Sequence, residues 1–381
     1  MKILFVNPHR SDFVYISPLY RLVNRKSLRK YKYLISFFES NDTEFLYSTS
    51  SFYRIIHNYF FDFFILKLEH FFFNKINEIK NNFRYTNSDI YDVVFCFGFA
   101  IRDVDDKEFK KIAVKGKKVI IHLSHYHLYA KKITFWSEFA NVSFCADANI
   151  TQSYFYKFYI NNDNPFFVLS YTIDSSRYLN KVDFDDRNPG IISTGTFHEF
   201  EKIYTLKYLK INLISSMFGF LSIHPERRII SIFRDKLPHV DCFNSSMGTI
   251  SIRNIFRSQN SVNQSKYFSF DIVEKFNNYQ FSFVGEESIV GLPAIGIFES
   301  IMCGCIPIIN DFCYFGTPLE GAKIPIIYNN INHLISIIQD FKLVSSGYIF
   351  DKKEFENLRR DVVNFYSDAY QISSLNHFLN K

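Results

Sequence analysis

Proline and glycine are scarce, at 10 and 13 of 381 residues, and tryptophan occurs once. Such a composition excludes a collagen-like or Pro/Gly-rich disordered chain. The six cysteines (Cys96, Cys145, Cys242, Cys303, Cys305, Cys313) are scattered, which points to free thiols in a reducing compartment, not to a cross-linked secreted domain. Cys303-Gly304-Cys305 lacks a second pair at zinc-ligand spacing, so no metal site is expected there. Long apolar runs are missing too. The most apolar region, Ile55 to Phe73, is broken by Asp62, Lys67 and Glu69, short of the about 20 residues a bilayer requires. The opening MKILFVNP is apolar only as far as Asn7 and Pro8, which reads as a buried first strand and not a signal peptide. Charge of one sign is also lacking: 44 Lys+Arg against 38 Asp+Glu leave +6. With no recognised reading motif, that excess does not make a dedicated nucleic-acid binder.

Aromatic residues, by contrast, are abundant: 46 Phe and 25 Tyr bring the share with Trp to 19%. Asn, Ile and Lys are abundant as well, the pattern of compositional drift, so single aromatics are not taken as functional signals. The length is about two and a half typical domains, which predicts two domains and a large core.

Short apolar runs alternate with helical patterns, the signature of βαβ units around a parallel sheet. In the first half, strands are expected at Lys2–Val6, Tyr91–Phe97, Lys118–Leu123, Ala148–Thr151 and Phe166–Ser170, with helices at Leu28–Glu39 and Tyr53–Asn82. In the second, strands are expected at Gly190–Thr194, Phe218–Ile223, His239–Phe243, Gln280–Val284, Ile306–Asn310 and Lys323–Tyr328. Helices are expected at Asp271–Asn278, Gly296–Cys303, Ile331–Phe341 and Lys353–Tyr370. The polar stretch Asn180–Pro189 reads as a linker. The resulting expectation is an α/β protein of two Rossmann-like domains, 1–180 and 181–352, with a C-terminal helical segment at 353–381. Ligands of such sheets bind at the carboxyl ends of the strands.

The segment from Phe281 to Ile309 carries the most chemistry. It reads as a strand, the acidic turn Glu286-Glu287, a Gly291-Leu292-Pro293 loop, a helix containing Glu299, Cys303-Gly304-Cys305, and a further strand. A helix beginning near Pro293 offers backbone N–H groups and a positive dipole end to a diphosphate. Gly291 would let the chain approach that ligand, and a carboxylate one or two turns into the helix can accept hydrogen bonds from ribose hydroxyls.

This segment resembles the GT-B glycosyltransferases of the large "group 1" type, whose C-terminal domain carries an E…GLP…E(A/S)xxCGxPVI pattern. The match is Glu286/Glu287, Gly291-Leu292-Pro293, Glu299-Ser300 and Cys303-Gly304-Cys305-Ile306-Pro307-Ile308. The family separates its two glutamates by seven residues; here eleven lie between Glu287 and Glu299, which leaves Glu286 and Glu287 as competing candidates. The resemblance implies that the two domains face each other across a cleft and that the C-terminal helix crosses back to the first. It also implies Glu299 on the nucleotide ribose and one of Glu286 and Glu287 on the transferred sugar.

Other strand ends supply further candidates. In Ser193–Lys202, Gly195 and Thr196 could turn backbone N–H groups toward an anion, with His198 and Lys202 within reach. His224, Arg227 and Arg228 form a basic cluster suited to phosphate. His224-Pro225 is a pair also found in sialyl- and Kdo-transferases. In the first domain, His122 could be a core histidine, whereas His125 and His127 fall where the family places a donor-sugar contact. Asn7, His9 and Arg10 are acceptor-side candidates. Asp103–Asp106 and Asp183–Asp186 contain Asp-x-Asp but read as solvated loops.

The resemblance thus implies a cytoplasmic glycosyltransferase, a retaining one by its glutamate-rich pattern, acting in bacterial surface polysaccharide or lipopolysaccharide synthesis. Its substrates would be a nucleotide-sugar donor and a glycan or lipid-linked acceptor, with no cofactor and no metal. Arg21–Phe38 and Phe60–Phe73 could dock on anionic lipid at the cytoplasmic face of the inner membrane. Alternatives are a CMP-Kdo or CMP-sialic-acid transferase, a GT-B epimerase, or a non-catalytic binding subunit.

Overall fold

The computed structural model describes residues 1–6, 31–46, 90–102, 104–124, 126–160, 162–195, 226–227, 230, 237, 239–244 and 270–380. They divide into two compact units. One comprises 1–147, 157–172 and 368–381, the other 148–156 and 173–367. The expected helix Tyr53–Asn82 and strand Phe218–Ile223 lie outside the described residues, as do Phe60–Phe73 and most of Arg21–Phe38.

The first unit is built on a six-stranded sheet in the order β2-β1-β3-β4-β5-β6. Its strands are β1 (Lys2–Val6), β2 (Asp42–Leu46), β3 (Tyr91–Phe97), β4 (Gly116–His122), β5 (Val142–Ala146) and β6 (Phe166–Val168). Every pairing is parallel. A parallel sheet is covered on both faces, which is why β5 is buried at all five positions and β3 at six of seven. Helices α1 (Lys32–Glu39), α2 (Asp106–Ala113), α3 (Ala130–Trp136) and α4 (Tyr154–Tyr159) lie between strands in sequence. The Phe-rich composition fills this core. Phe5, Phe38, Phe95 and Phe97 are each 1% exposed or less, and Phe5 meets Phe38 at 4.9 Å between ring centroids.

The second unit holds a five-stranded parallel sheet in the order β11-β10-β9-β7-β8. Its strands are β7 (Asn188–Gly195), β8 (Val240–Asn244), β9 (Tyr279–Phe283), β10 (Ile306–Ile309) and β11 (Ile326–Ile327). Its helices are α5 (Ile272–Asn277), α6 (Ile295–Met302), α7 (Ile331–Gln339), α8 (Phe341–Gly347) and α9 (Lys352–Phe365). The chain then returns to the first unit as α10 (Asp368–Leu379). There Phe378 stacks on Phe167 at 3.9 Å, and buried Gln371 accepts the Ser170 N–H at 2.8 Å. Two parallel sheets with interleaved helices realise the expected Rossmann-like α/β class.

Three local expectations change. Ala148–Thr151 is no strand: Asn149 accepts the Thr151 N–H and starts a 3₁₀ turn at Ile150–Gln152, while the sheet takes Val142–Ala146 instead. Lys323–Tyr328 pairs over Ile326–Ile327 alone. The helix expected over 353–370 is two helices, interrupted at Tyr366-Ser367. There the side chain of Tyr366 is buried against Phe298 at 4.3 Å.

Candidate functional site

The candidate site lies at the carboxyl ends of β7 and β9 in the second unit. β9 ends at Phe283, and α6 is set against the next step of chain: a Cβ at Gly296 would lie 3.2 Å from Val284 Cγ1. The helix therefore starts at the strand end. Its N-cap, Ala294, offers no side-chain acceptor, and its first turn holds no acidic residue. Ala294 follows half-buried Pro293 and buried Leu292. A buried Ser282–Ser300 hydroxyl pair at 2.7 Å ties strand and helix together.

Arg227 joins them from a distant stretch of sequence. Its Nη2 donates to the Gly285 carbonyl at 2.7 Å, and its Nε lies 3.1 Å from where a Cβ on Gly195 would sit. A guanidinium and the start of a helix thus both stand at the ends of β7 and β9, groups of the kind that bind an anion. Of the basic cluster and Gly195-loop candidates, Arg227 and Gly195 come together here. Thr196, His198, Lys202, His224 and Arg228 lie outside the described residues.

The two competing glutamates separate by burial. Glu286 is 0% exposed. Its Oε1 accepts the Tyr314 hydroxyl at 3.0 Å and the Asn310 N–H at 3.2 Å, and its Oε2 accepts the Tyr328 hydroxyl at 2.7 Å. Burial, with the nearby Glu226 carboxylate, pushes the Glu286 carboxyl up to about 7 despite these donors. Glu226, itself 3% exposed, is raised by burial. Glu287 is only half-buried. Its N–H donates to the Leu292 carbonyl at 3.1 Å, pinching residues 287–292 into a small loop. Those residues take up part of the extra spacing before Glu299.

Gly291 sits in the left-handed region at φ +69°, and a Cβ there would lie 2.8 Å from Ser153 Cβ. The missing side chain thus leaves room for Ser153 to pack against this turn. Cys303-Gly304-Cys305 also has a structural role. Gly304 N–H bonds the Ile301 carbonyl and Cys305 N–H the Ser300 carbonyl, both at 2.9 Å, with Gly304 at φ +97°. That is a Schellman helix end. Arg187 Nη2 donates to the Cys303 carbonyl at 2.8 Å and closes it from outside. Among the described residues all six cysteines are free, and no group of three or more His, Cys, Asp or Glu side chains could hold a metal.

Glu299 is half-buried on α6, and Tyr178 donates its hydroxyl to Glu299 Oε1 at 2.5 Å. Sequence reasoning missed Tyr178. One tyrosine among 25 gives no local signal, and it lies before the strand that opens the second sheet.

In the first unit, His122 is a core residue, as one reading of it allowed. It is 0% exposed, its Nε2 lies 2.9 Å from the Leu169 carbonyl, and burial lowers its pKa, so the ring is neutral and donates. Asp147, after β5, accepts the Tyr31 hydroxyl at 2.8 Å and lies 3.7 Å from His122 Nε2. His127 is 7% exposed in a 3₁₀ turn. Asn7, His9, Arg10 and His125 lie outside the described residues. Asp105 caps α2 by accepting the Lys107 and Glu108 N–H groups, and Asp106 pairs with Lys132 at 2.6 Å.

No family model matches the chain, and no curated protein does. Several solved structures are similar. Sucrose-phosphate synthase from Thermosynechococcus elongatus is 10% identical, over 100% of this chain and 99% of that one, with a TM-score of 0.47. HepE from Anabaena, solved with UDP, is 11% identical over 100% of both chains at a TM-score of 0.43. A chain of the GtfA/B complex is 11% identical at 0.43, covering 77% of this chain; this chain spans 57% of that one. At such identities and overlaps, the fold is established by the two parallel sheets themselves.

Proposed function

We propose that this protein is a glycosyltransferase that moves a sugar from a nucleotide-activated donor to a glycan or lipid-linked acceptor. The observation that carries this reading is the convergence of Arg227 and the α6 N-terminus at the ends of β7 and β9, with Glu299 farther along the same helix. The helix end and guanidinium would bind the donor diphosphate and stabilise the charge that develops on it as the glycosidic bond to phosphate breaks. Glu299 would hold the ribose diol. Of the two acidic candidates, Glu287 is the one to contact the transferred sugar. Glu286 has its carboxyl engaged by three donors below the surface and is assigned to holding the loops.

The same reading needs no divalent ion, because Arg227 and the α6 N-terminus would offset the phosphate charge. Surface polysaccharide or lipopolysaccharide synthesis, retention of anomeric configuration and docking at the inner membrane's cytoplasmic face belong to the same proposal, on the family resemblance alone. A thermal-shift screen against UDP-, GDP-, dTDP- and CMP-sugars tests it. One nucleotide class should raise the melting temperature, and turnover of that donor should need an acceptor. Turnover without an acceptor would favour an epimerase or hydrolase; silence toward every nucleotide would favour a binding subunit.

A further inference from the structure

Asn180–Pro189 reads as a linker in the sequence, but in the structure residues 178–187 form a strap fixed within the second unit at several points. Asn277 Nδ2 donates to the Leu179 carbonyl at 2.9 Å, and Asn277 Oδ1 accepts the Lys181 N–H at 2.7 Å. Arg187, 4% exposed, reaches the Val182 carbonyl at 2.7 Å, Asn180 Oδ1 at 2.5 Å and the Cys303 carbonyl that ends α6. Tyr178 begins this strap. It is 4% exposed, and the Arg177 guanidinium lies over its ring at 5.3 Å. Its hydroxyl meets Glu299 across 121 positions of sequence.

We infer that Tyr178 is a positioning residue, which presets the Glu299 carboxylate for a ribose diol before any nucleotide arrives. The inference rests on the assignment of Glu299 to the ribose. A half-buried glutamate otherwise samples several rotamers, and fixing one on binding costs affinity. The phenol donates a short, charge-assisted bond to one carboxylate oxygen, and the strap holds the phenol through bonds that no ligand makes. Nucleotide affinity is therefore built partly by a residue that touches no nucleotide.

The experiment is a double-mutant cycle on the full chain: wild type, Tyr178→Phe, Glu299→Gln and the pair, each titrated calorimetrically with UDP, GDP and CMP, which share the ribose diol. Tyr178→Phe removes a single oxygen and keeps the ring, and circular dichroism melts verify folding. The expected result is a threefold to tenfold loss of affinity for the responding nucleotide in Tyr178→Phe, and no further loss when the change is added to Glu299→Gln. Equal losses in both backgrounds, or none in the wild-type background while Glu299→Gln weakens binding, overturn the role of Tyr178 alone. Unchanged affinity in Glu299→Gln overturns the ribose assignment and the inference together.

Discussion

At the scale of single residues, Glu286 gives the sharpest prediction. Its folded pKa, near 7, lies above the ordinary glutamate value of 4.5. The folded state therefore binds more protons than the unfolded state between those values, and stability falls as pH rises through that window. Wild type should lose stability from about pH 4.5 to 7 relative to Glu286→Gln, which keeps the volume and cannot ionise. Parallel urea titrations across that range would contradict the account. Glu286→Ala would leave the Tyr314, Tyr328 and Asn310 donors without their acceptor and open a cavity, at a cost of about 3–5 kcal/mol. The residue pair itself was legible in sequence; its division of labour was not. Nothing local to Glu286-Glu287 tells which side chain turns inward. Tyr314 and Tyr328, which decide it, come from beyond β10.

At the scale of elements, periodicity located the strands whose burial is continuous: β1 and β3 match expectation, and β7, β9 and β10 fall within one or two residues of it. It failed where a polar residue redirected the chain, as at Asn149, and where tertiary packing of Tyr366 split an amphipathic pattern with no Gly or Pro to mark the break. Cys303-Gly304-Cys305 has its reason in the end of α6. Gly304→Ala would force an alanine to φ +97° and place its Cβ 2.5 Å from Arg187 Nη2, a cost of about 1–3 kcal/mol. A melting temperature within a degree of wild type would remove the Schellman end from the account. Cys303→Ser and Cys305→Ser, by contrast, should leave metal content at the background level in elemental analysis.

At the scale of the whole molecule, the chain builds one parallel-sheet unit, then a second, and ends on the first. Leu375, 0% exposed on α10, should cost about 2–5 kcal/mol as alanine. Its loss should lower the protection of β4 and β6 amides in hydrogen exchange; protection unchanged there would argue against the docking of α10. On the proposed reading catalysis should survive EDTA, since Arg227 and the start of α6 would supply the positive charge. A strict Mg²⁺ or Mn²⁺ requirement would move the active site elsewhere. If the second unit holds the donor nucleotide at the ends of β7 and β9, as proposed, calorimetric titration of nucleoside diphosphates into wild type, Glu299→Gln and Arg227→Ala will register it. Wild type should bind, and each variant should bind about 1–3 kcal/mol more weakly with the melting temperature preserved. Equal affinity in all three proteins would contradict it.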